Sequence, residues 1–369
     1  MAFSIDIIIP SFRLQEQYLL PILDLKKPGE VQIKYYLISD NPTIVLSEAL
    51  TNRINNEDVI LIVNSSNLGA AATRNRGIDA GDGTWILFLD DDIEVQDDLL
   101  LNYTAAIQNY QEEIGFIGLV NMPSPPTTFA KALELMGATG IFSVAKAKES
   151  YAWGATANMI IRRSAIKDLR FSENYPKFGG GEEVDFFLRV REKNGFKNYK
   201  SLPGAAVTHP WWHNGKRNYK QFYYGRGNSY LPQFNPQYKF YDFLNTSETM
   251  FAWLIISVVF LILNHLKLQA IGLVVLLIIL IEFIANMLRV YLKTRKINFE
   301  LIYELMTVRN AYEFGILYEN LSRLRFTGIG ERFRDDGSFK RSGFALNKYK
   351  IIKLSLYGLV IIYLIYSAS

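Results

Sequence analysis

Trp85-Ile86-Leu87-Phe88-Leu89-Asp90-Asp91-Asp92 runs five apolar residues straight into three carboxylates. The apolar part is too short for a helix between such flanks and reads as a strand buried in a sheet. Carboxylates crowded at a strand end repel one another, and a hard divalent cation relieves that repulsion by taking oxygen ligands. Mg²⁺ and Mn²⁺ suit carboxylate plus phosphate coordination, and such an ion offsets charge on a departing diphosphate. The alternative is a solvated acidic turn capping the next helix.

Working outward, Ile5 to Ile9, Ile33 to Ser39, Val59 to Val63 and Gly115 to Val120 are further strand candidates. Helical stretches, Leu68 to Ala80 and Asp97 to Tyr110 among them, lie between. Strand, helix, strand at this spacing predicts an α/β fold with a mostly parallel sheet and helices on both faces. Such sheets bind ligands beyond the carboxyl ends of their strands. Those ends carry Pro10-Ser11-Phe12-Arg13, then Asp40, then Asn64 and Asn67, then the three aspartates. Any one of them is also ordinary turn chemistry. Asn67 to Gly77 opens a helix with small residues that permit close approach, and Arg74, about two turns in, is placed to reach a phosphate or the acidic loop.

Farther on, Met122 to Lys148 is rich in Pro, Thr, Ala and Gly and reads as a loop region shaping an acceptor site. Gly154 to Ile161 and Ala205 to Thr208 are strand-like, and Glu182 to Lys193 is a helix stopped by Asn194-Gly195. Three glycines, Gly179 to Gly181, precede the Glu182-Glu183 pair and permit an unusual backbone path. A base for transfer to a hydroxyl must sit within hydrogen-bond reach of the acceptor oxygen. The same acids also suit a helix N-terminus electrostatically. His209, one of three histidines, follows the last strand. From Trp211 to Tyr230, Trp212, His213, Lys216, Arg217, Tyr223 and Arg226 mix basic and aromatic character. That suits closure over a diphosphate or an acceptor sugar, and equally a membrane interface.

Taken together, Pro10-Ser11-Phe12-Arg13, Asp40, Asn67 to Gly77, Phe88-Leu89-Asp90-Asp91-Asp92, Gly179 to Arg189 and His209 resemble the family 2 glycosyltransferases of the GT-A fold, over roughly residues 3–230. The resemblance implies a Rossmann-like domain that takes a nucleotide-diphosphate sugar, with a UDP-sugar foremost, and a divalent metal, Mn²⁺ or Mg²⁺. It implies that Pro10, Ser11 and Arg13 border the base and ribose and that Asp40 meets the base edge. Asn67, Gly69, Arg74 and Asp91 join them on the donor side. Asp92 would be the direct metal ligand. Asp90 would contact the ribose or a metal-bound water, and His209 would be a third metal or diphosphate contact. Glu183 would be the catalytic base where relatives place an aspartate, with Glu182 beside it and Asp185 as a rival. The Gln-x-x-Arg-Trp motif of processive relatives is absent, since Gln221 precedes Phe-Tyr-Tyr-Gly. Single-sugar transfer to a hydroxyl of a glycan or lipid-linked acceptor is therefore expected, with inversion. A polyprenyl-phosphate glycosyl transferase is the alternative.

Beyond about residue 240 the composition shifts. Phe251 to Leu263, Ile271 to Leu288 and Leu354 to Tyr366 are apolar runs, against about 20 residues for a spanning helix. Lys293, Arg295, Lys296, Arg323, Arg325, Arg332, Arg334, Lys340 and Arg341 flank them, while the loop between the first two runs holds only Lys267. That asymmetry puts the catalytic part and the basic segment 293–350 on the cytoplasmic side of a cell membrane. Phe299 to Arg325 would lie along the lipid surface or pack on the catalytic domain. The division expected is a catalytic domain over 1–240 and a membrane-associated helical region over 241–369. The chain of 369 residues is 49% hydrophobic, carries a net charge of +4 and contains no cysteine. The charge points to no nucleic-acid partner, and the missing thiols exclude disulfides and a cysteine nucleophile. No signal peptide is expected at the N-terminus.

Overall fold

The computed structural model describes residues 3–211, 217–263, 268–339 and 347–368. Trp212, His213, Lys216, Lys267, Lys340 and Arg341 lie outside the described residues. The chain forms two compact units, each assembled from separate stretches. The first comprises Met1–Pro125, Thr139–His213 and Asp335–Ser338; the second comprises Pro126–Ala138, Asn214–Arg334 and Phe339–Ser369.

The first unit is built on a nine-stranded sheet. Its strands are β1 (Ser4–Ser11), β2 (Gln32–Ser39), β3 (Val59–Val63), β4 (Trp85–Leu89), β5 (Glu94–Val95), β6 (Gly115–Asn121), β7 (Ser150–Tyr151), β8 (Asn158–Arg162) and β9 (Tyr199–Thr208). The order is β3-β2-β1-β4-β8-β6-β9-β5, with β7 paired to β9. From β3 to β4 all pairing is parallel, as the alternating strands and helices predict. Beyond β4 the sheet is mixed: β8 runs against both its neighbours, and β5 and β7 run against β9. The apolar residues of β1 serve two layers. Ile5, Ile7 and Ile9 enter the main core with Leu87 and Leu89 of β4. Ile8 faces the helix Ala70–Ala80, where a Cβ on Gly77 would lie 2.5 Å from Ile8 Cγ2.

That contact sets how near the arginine-bearing helix sits to the sheet. Gly77→Ala adds helix propensity of about 1 kcal/mol, but Ile8 is fully buried and β-branched, with nowhere to turn. Overpacking costs about 1–3 kcal/mol, so G77A is expected to lower the urea midpoint. An unchanged or higher midpoint would show that the strand yields.

In the second unit, the stretch expected as loop contains the helix Thr128–Met136. Thr127 caps it by accepting from Ala130 N–H at 3.1 Å, and Gly137 ends it at φ +91°. Phe129, Ala130, Ala132 and Leu133 bury its inner face, which is why it folds despite the prolines before it. The rest of that stretch also departs from loop, with the short helix Val144–Ala147 in the first unit. The helices Arg217–Asn228 and Phe299–Ser322 meet backbone to backbone. A Cβ on Gly225 would lie 2.1 Å from Tyr312 O, and one on Gly315 would lie 2.1 Å from Phe222 O. Arg226 Nε and Tyr230 OH donate to the buried Glu319 carboxylate at 2.6 and 2.8 Å. Much of the aromatic and basic character of residues 217–230 is thus spent on packing against Phe299–Ser322. The three apolar runs fall in the helices Thr246–Ile262, Leu268–Thr294 and Lys348–Ala368. Among the described residues, Ile271–Thr294 is the helix long and apolar enough to cross a membrane, and Thr246–Ile262 is apolar but shorter.

Candidate active site

The acidic loop leaves β4 between two constraints. Upstream, Phe88 is locked in an aromatic cluster with Phe171 (5.5 Å), Phe186 (6.4 Å) and Phe187 (6.3 Å). Downstream, β5 pairs with the end of β9, with Glu94 opposite Thr208. That pairing carries His209 to the aspartates, and its N–H donates to Asn121 O at 2.9 Å, fixing the residue at the end of β6.

Asp90, Asp92 and His209 offer ligand atoms within 4.8 Å of one another. His209 is buried, stacked on Phe142 at 5.6 Å. Its Nδ1 lies 2.7 Å from Pro210 O, a carbonyl that can only accept, so Nδ1 carries the proton. In the neutral ring Nε2 then presents a lone pair, and it lies 3.3 Å from Asp92 Oδ1. Two lone pairs at that distance repel unless a proton or a metal ion stands between them. A ring N–H fixed on a carbonyl is also the usual support for a metal-ligating histidine. These three side chains therefore fit a divalent cation.

The remaining charges are balanced around this point. Arg74 is buried between Asp90 and Glu182, 3.6 Å from each. Its Nε and NH1 have no hydrogen-bond partner, nor has Glu182 Oε2. Buried orphan donors of this kind fit an anionic ligand. Burial raises the Asp90 carboxyl. Burial raises Asp91 to about 6, aided by the charges of Asp92 and Asp90 and opposed by its hydrogen bond from Ser11. Arg13 lies 3.4 Å from Asp92 and is exposed. Ser11 Oγ also accepts from Leu14 N–H at 2.8 Å, which shapes the turn after β1, and Pro10 is half-buried beside it.

Asp40 organises the donor side. Its carboxylate accepts from Leu68 N–H (2.8 Å), Gly69 N–H (2.9 Å) and Asn64 Nδ2 (2.8 Å). It thereby caps the helix Ala70–Ala80 from another strand and holds Arg74 in place. Gly69 sits at φ +88°, and a Cβ there would lie 2.9 Å from Lys177. Exposed Asn67 accepts from Lys177 Nζ through its carbonyl at 3.1 Å.

On the opposite side, Gly179, Gly180 and Gly181 hold φ of +88°, +106° and +91°. This left-handed run, which L side chains rarely adopt, turns the chain into the helix Glu182–Lys193. Glu183 Oε2 accepts from both Thr156 N–H and Thr156 Oγ1 at 3.0 Å. Burial, then the charge of Glu182, raises the Glu183 carboxyl to about 7, against the pull of Arg74. Asp185 is buried and paired with Arg189 at 2.8 Å.

Residues 6–170 match the family described as Glycosyl transferase family 2. This chain contains a family 2 glycosyltransferase domain. The amylovoran biosynthesis glycosyltransferase AmsB of Erwinia amylovora is 25% identical over 202 residues, 53% of this chain and 65% of that protein. The match thus spans slightly less than two thirds of the relative's length. Among solved structures, S. aureus TarS 1–349 in complex with UDP-GlcNAc aligns over 87% of this chain and 92% of that one, with a TM-score of 0.44 and 14% identity. GalNAc-T7 with UDP, GalNAc and Mn²⁺ aligns over 64% and 51%, also with a TM-score of 0.44 and 14% identity.

Thr156 and Phe142 are the residues of this family 2 domain that sequence reasoning missed. Neither sits in a charged motif, and each acts on a residue far along the chain. For Thr156 the consequence is measurable. A hydrogen bond to a carboxylate favours its charged form, so Thr156→Val raises the Glu183 carboxyl further. If Glu183 must be ionised to act, transfer falls as pH drops through about 7. In T156V the acid limb of kcat/KM is expected to move up by about one pH unit, with T156S restoring it. An unmoved limb would remove Glu183 from the proton transfer.

Proposed function

We propose that this chain is an inverting glycosyltransferase that moves one sugar from a nucleotide-diphosphate donor, foremost a UDP-sugar, to a hydroxyl of a glycan or lipid-linked acceptor. The observation that supports it best is the juxtaposition of Asp90, Asp92 and His209, linked through Arg74 to the helix that presents Glu182 and Glu183. In this reading residues 1–240 hold the catalytic chemistry and 241–369 associate with membrane lipids, with the catalytic part on the cytoplasmic face.

Asp92, His209 and Asp90 would hold Mn²⁺ or Mg²⁺, which when bound offsets charge on the leaving diphosphate. Pro10, Ser11, Arg13 and Asp40 border the nucleoside; one Asp40 oxygen accepts a single N–H and retains capacity for a base N–H. Asn67, Gly69 and Asp91 complete the donor wall. Arg74 brings its orphan donors to the diphosphate. Glu183, held at one oxygen by Thr156, keeps the other for the acceptor hydroxyl. It takes the proton as that oxygen attacks the anomeric carbon and the bond to the diphosphate breaks. Asp185, neutralised by Arg189, positions the helix.

A panel of nucleotide sugars assayed with and without Mn²⁺ tests the donor half. Turnover should require the metal, be abolished by a chelator and return on its addition. Asp92→Ala should lower kcat by about 10²-fold or more and lose the metal response. Chelator-resistant turnover at wild-type rate would end the metal reading. Glu183→Gln keeps the shape and removes the base, so transfer to a hydroxyl should fall about 10²–10⁴-fold while donor binding persists. Full activity in E183Q would point to an acceptor that is already an anion.

A further inference from the structure

The helices of the second unit enclose polar groups that the transfer chemistry does not use. Glu282, Asn286 and Arg289 recur at spacings of four and three on Leu268–Thr294 and so share one face. Arg309 and Glu313 share a face of Phe299–Ser322, and Tyr349, Lys353 and Tyr357 share one of Lys348–Ala368. Part of this interior is closed on itself. Glu282 accepts from Thr246 Oγ1 at 2.7 Å, Lys353 Nζ at 2.5 Å and Asn286 Nδ2 at 2.6 Å. Glu313 accepts from Thr246 N–H at 3.0 Å and Arg309 at 3.4 Å.

The rest is not. Among the described residues Arg289 makes no hydrogen bond or ion pair; its guanidinium lies over the Tyr349 ring, 4.3 Å from the centroid. The charges acting on it are Arg309, Glu282 and Glu313. Arg309 Nε, Asn310 Oδ1, Tyr349 OH and Tyr357 OH are buried with no hydrogen-bond partner. Three cations, Arg289, Arg309 and Lys353, stand against two carboxylates, so positive charge is left over in apolar surroundings. Phosphate fits that remainder, because its oxygens accept from guanidinium forks and hydroxyls together. The same helix supplies a place for a lipid chain. Toward its start Leu273, Leu276, Ile279 and Leu280 are all exposed, and Leu276 is 62% exposed.

We propose that this cluster binds the phosphate head group of a membrane lipid, with Arg289 and Arg309 as the charged contacts and Tyr349 and Tyr357 as hydroxyl donors. The lipid tail lies along the exposed face of Leu268–Thr294. This rests on the membrane association proposed above.

The test uses the full-length chain in detergent micelles with phosphatidic acid labelled at its tail, read by fluorescence anisotropy. Saturable binding is expected, and diacylglycerol with the same label should bind at least tenfold more weakly. Arg289→Gln and Arg309→Gln should each weaken phosphatidic acid at least tenfold, and Tyr357→Phe severalfold, with thermal midpoints near wild type. Should an arginine variant fail to fold, Tyr357→Phe alone decides. Nucleotide-sugar hydrolysis into water should be unaltered in R289Q. Equal affinity of wild type and Y357F, or of phosphatidic acid and diacylglycerol, overturns the inference. Arginine-dependent binding of inorganic phosphate without binding of the lipid overturns the lipid source. Flotation with phosphatidylcholine vesicles tests membrane association separately. A chain that floats yet ignores the phosphate defeats this inference alone.

Discussion

Three carboxylates at the end of one buried strand are the constraint around which the first unit is arranged. Water would screen their repulsion, but Asp90 and Asp92 are less than a third exposed, so the protein itself must supply the balancing charge. Arg74 supplies it for Asp90, Ser11 quiets Asp91, and Asp92 is left against His209 and the exposed Arg13. The balance is incomplete in one direction, toward Asp92 and His209, whose Oδ1 and Nε2 atoms lie 3.3 Å apart. In the function proposed above, a cation and a diphosphate would complete it.

The same economy of position explains the second acidic group. Glu182 and Glu183 begin a helix whose Phe186 and Phe187 pack on Phe88, two residues before Asp90. The aromatic cluster therefore holds both acidic groups in one frame. Arg74 lies between them, 3.6 Å from Asp90 and from Glu182, and couples their charges. The two carboxylates of the pair have separate tasks. Glu182 meets the arginine, while Glu183 is tied to Thr156 and raised by burial to about 7.

In the second unit the polar interior of the apolar helices follows the same logic. Glu282 is acceptable there because Lys353, Thr246 and Asn286 satisfy it. Among the described residues Arg289 lacks such partners, and a charge left in that state is costly, which is what the proposed head-group site would relieve.

The sequence by itself determined the local elements and the groups at their ends. Short continuous apolar runs specify buried strands, and turn residues cluster where strands stop. Asp90 to Asp92, Asp40 and the glycine-led Glu182-Glu183 pair were legible because their chemistry is contiguous along the chain. The helix Thr128–Met136 was hidden by the prolines before it, since its apolar face has meaning only once there is something to bury it against. His209 is a lone histidine until β5 pairs with β9, and Thr156 is an ordinary threonine until the glycine run brings Glu183 to it. Asp40 reads as a ligand contact, yet in the fold it first caps a helix from a neighbouring strand. Tertiary structure alone decided these relations, because hydrogen bonds, ion pairs and desolvation depend on distance in space. Partners such as Asp92 and His209 lie far apart in the chain and meet only through sheet pairing.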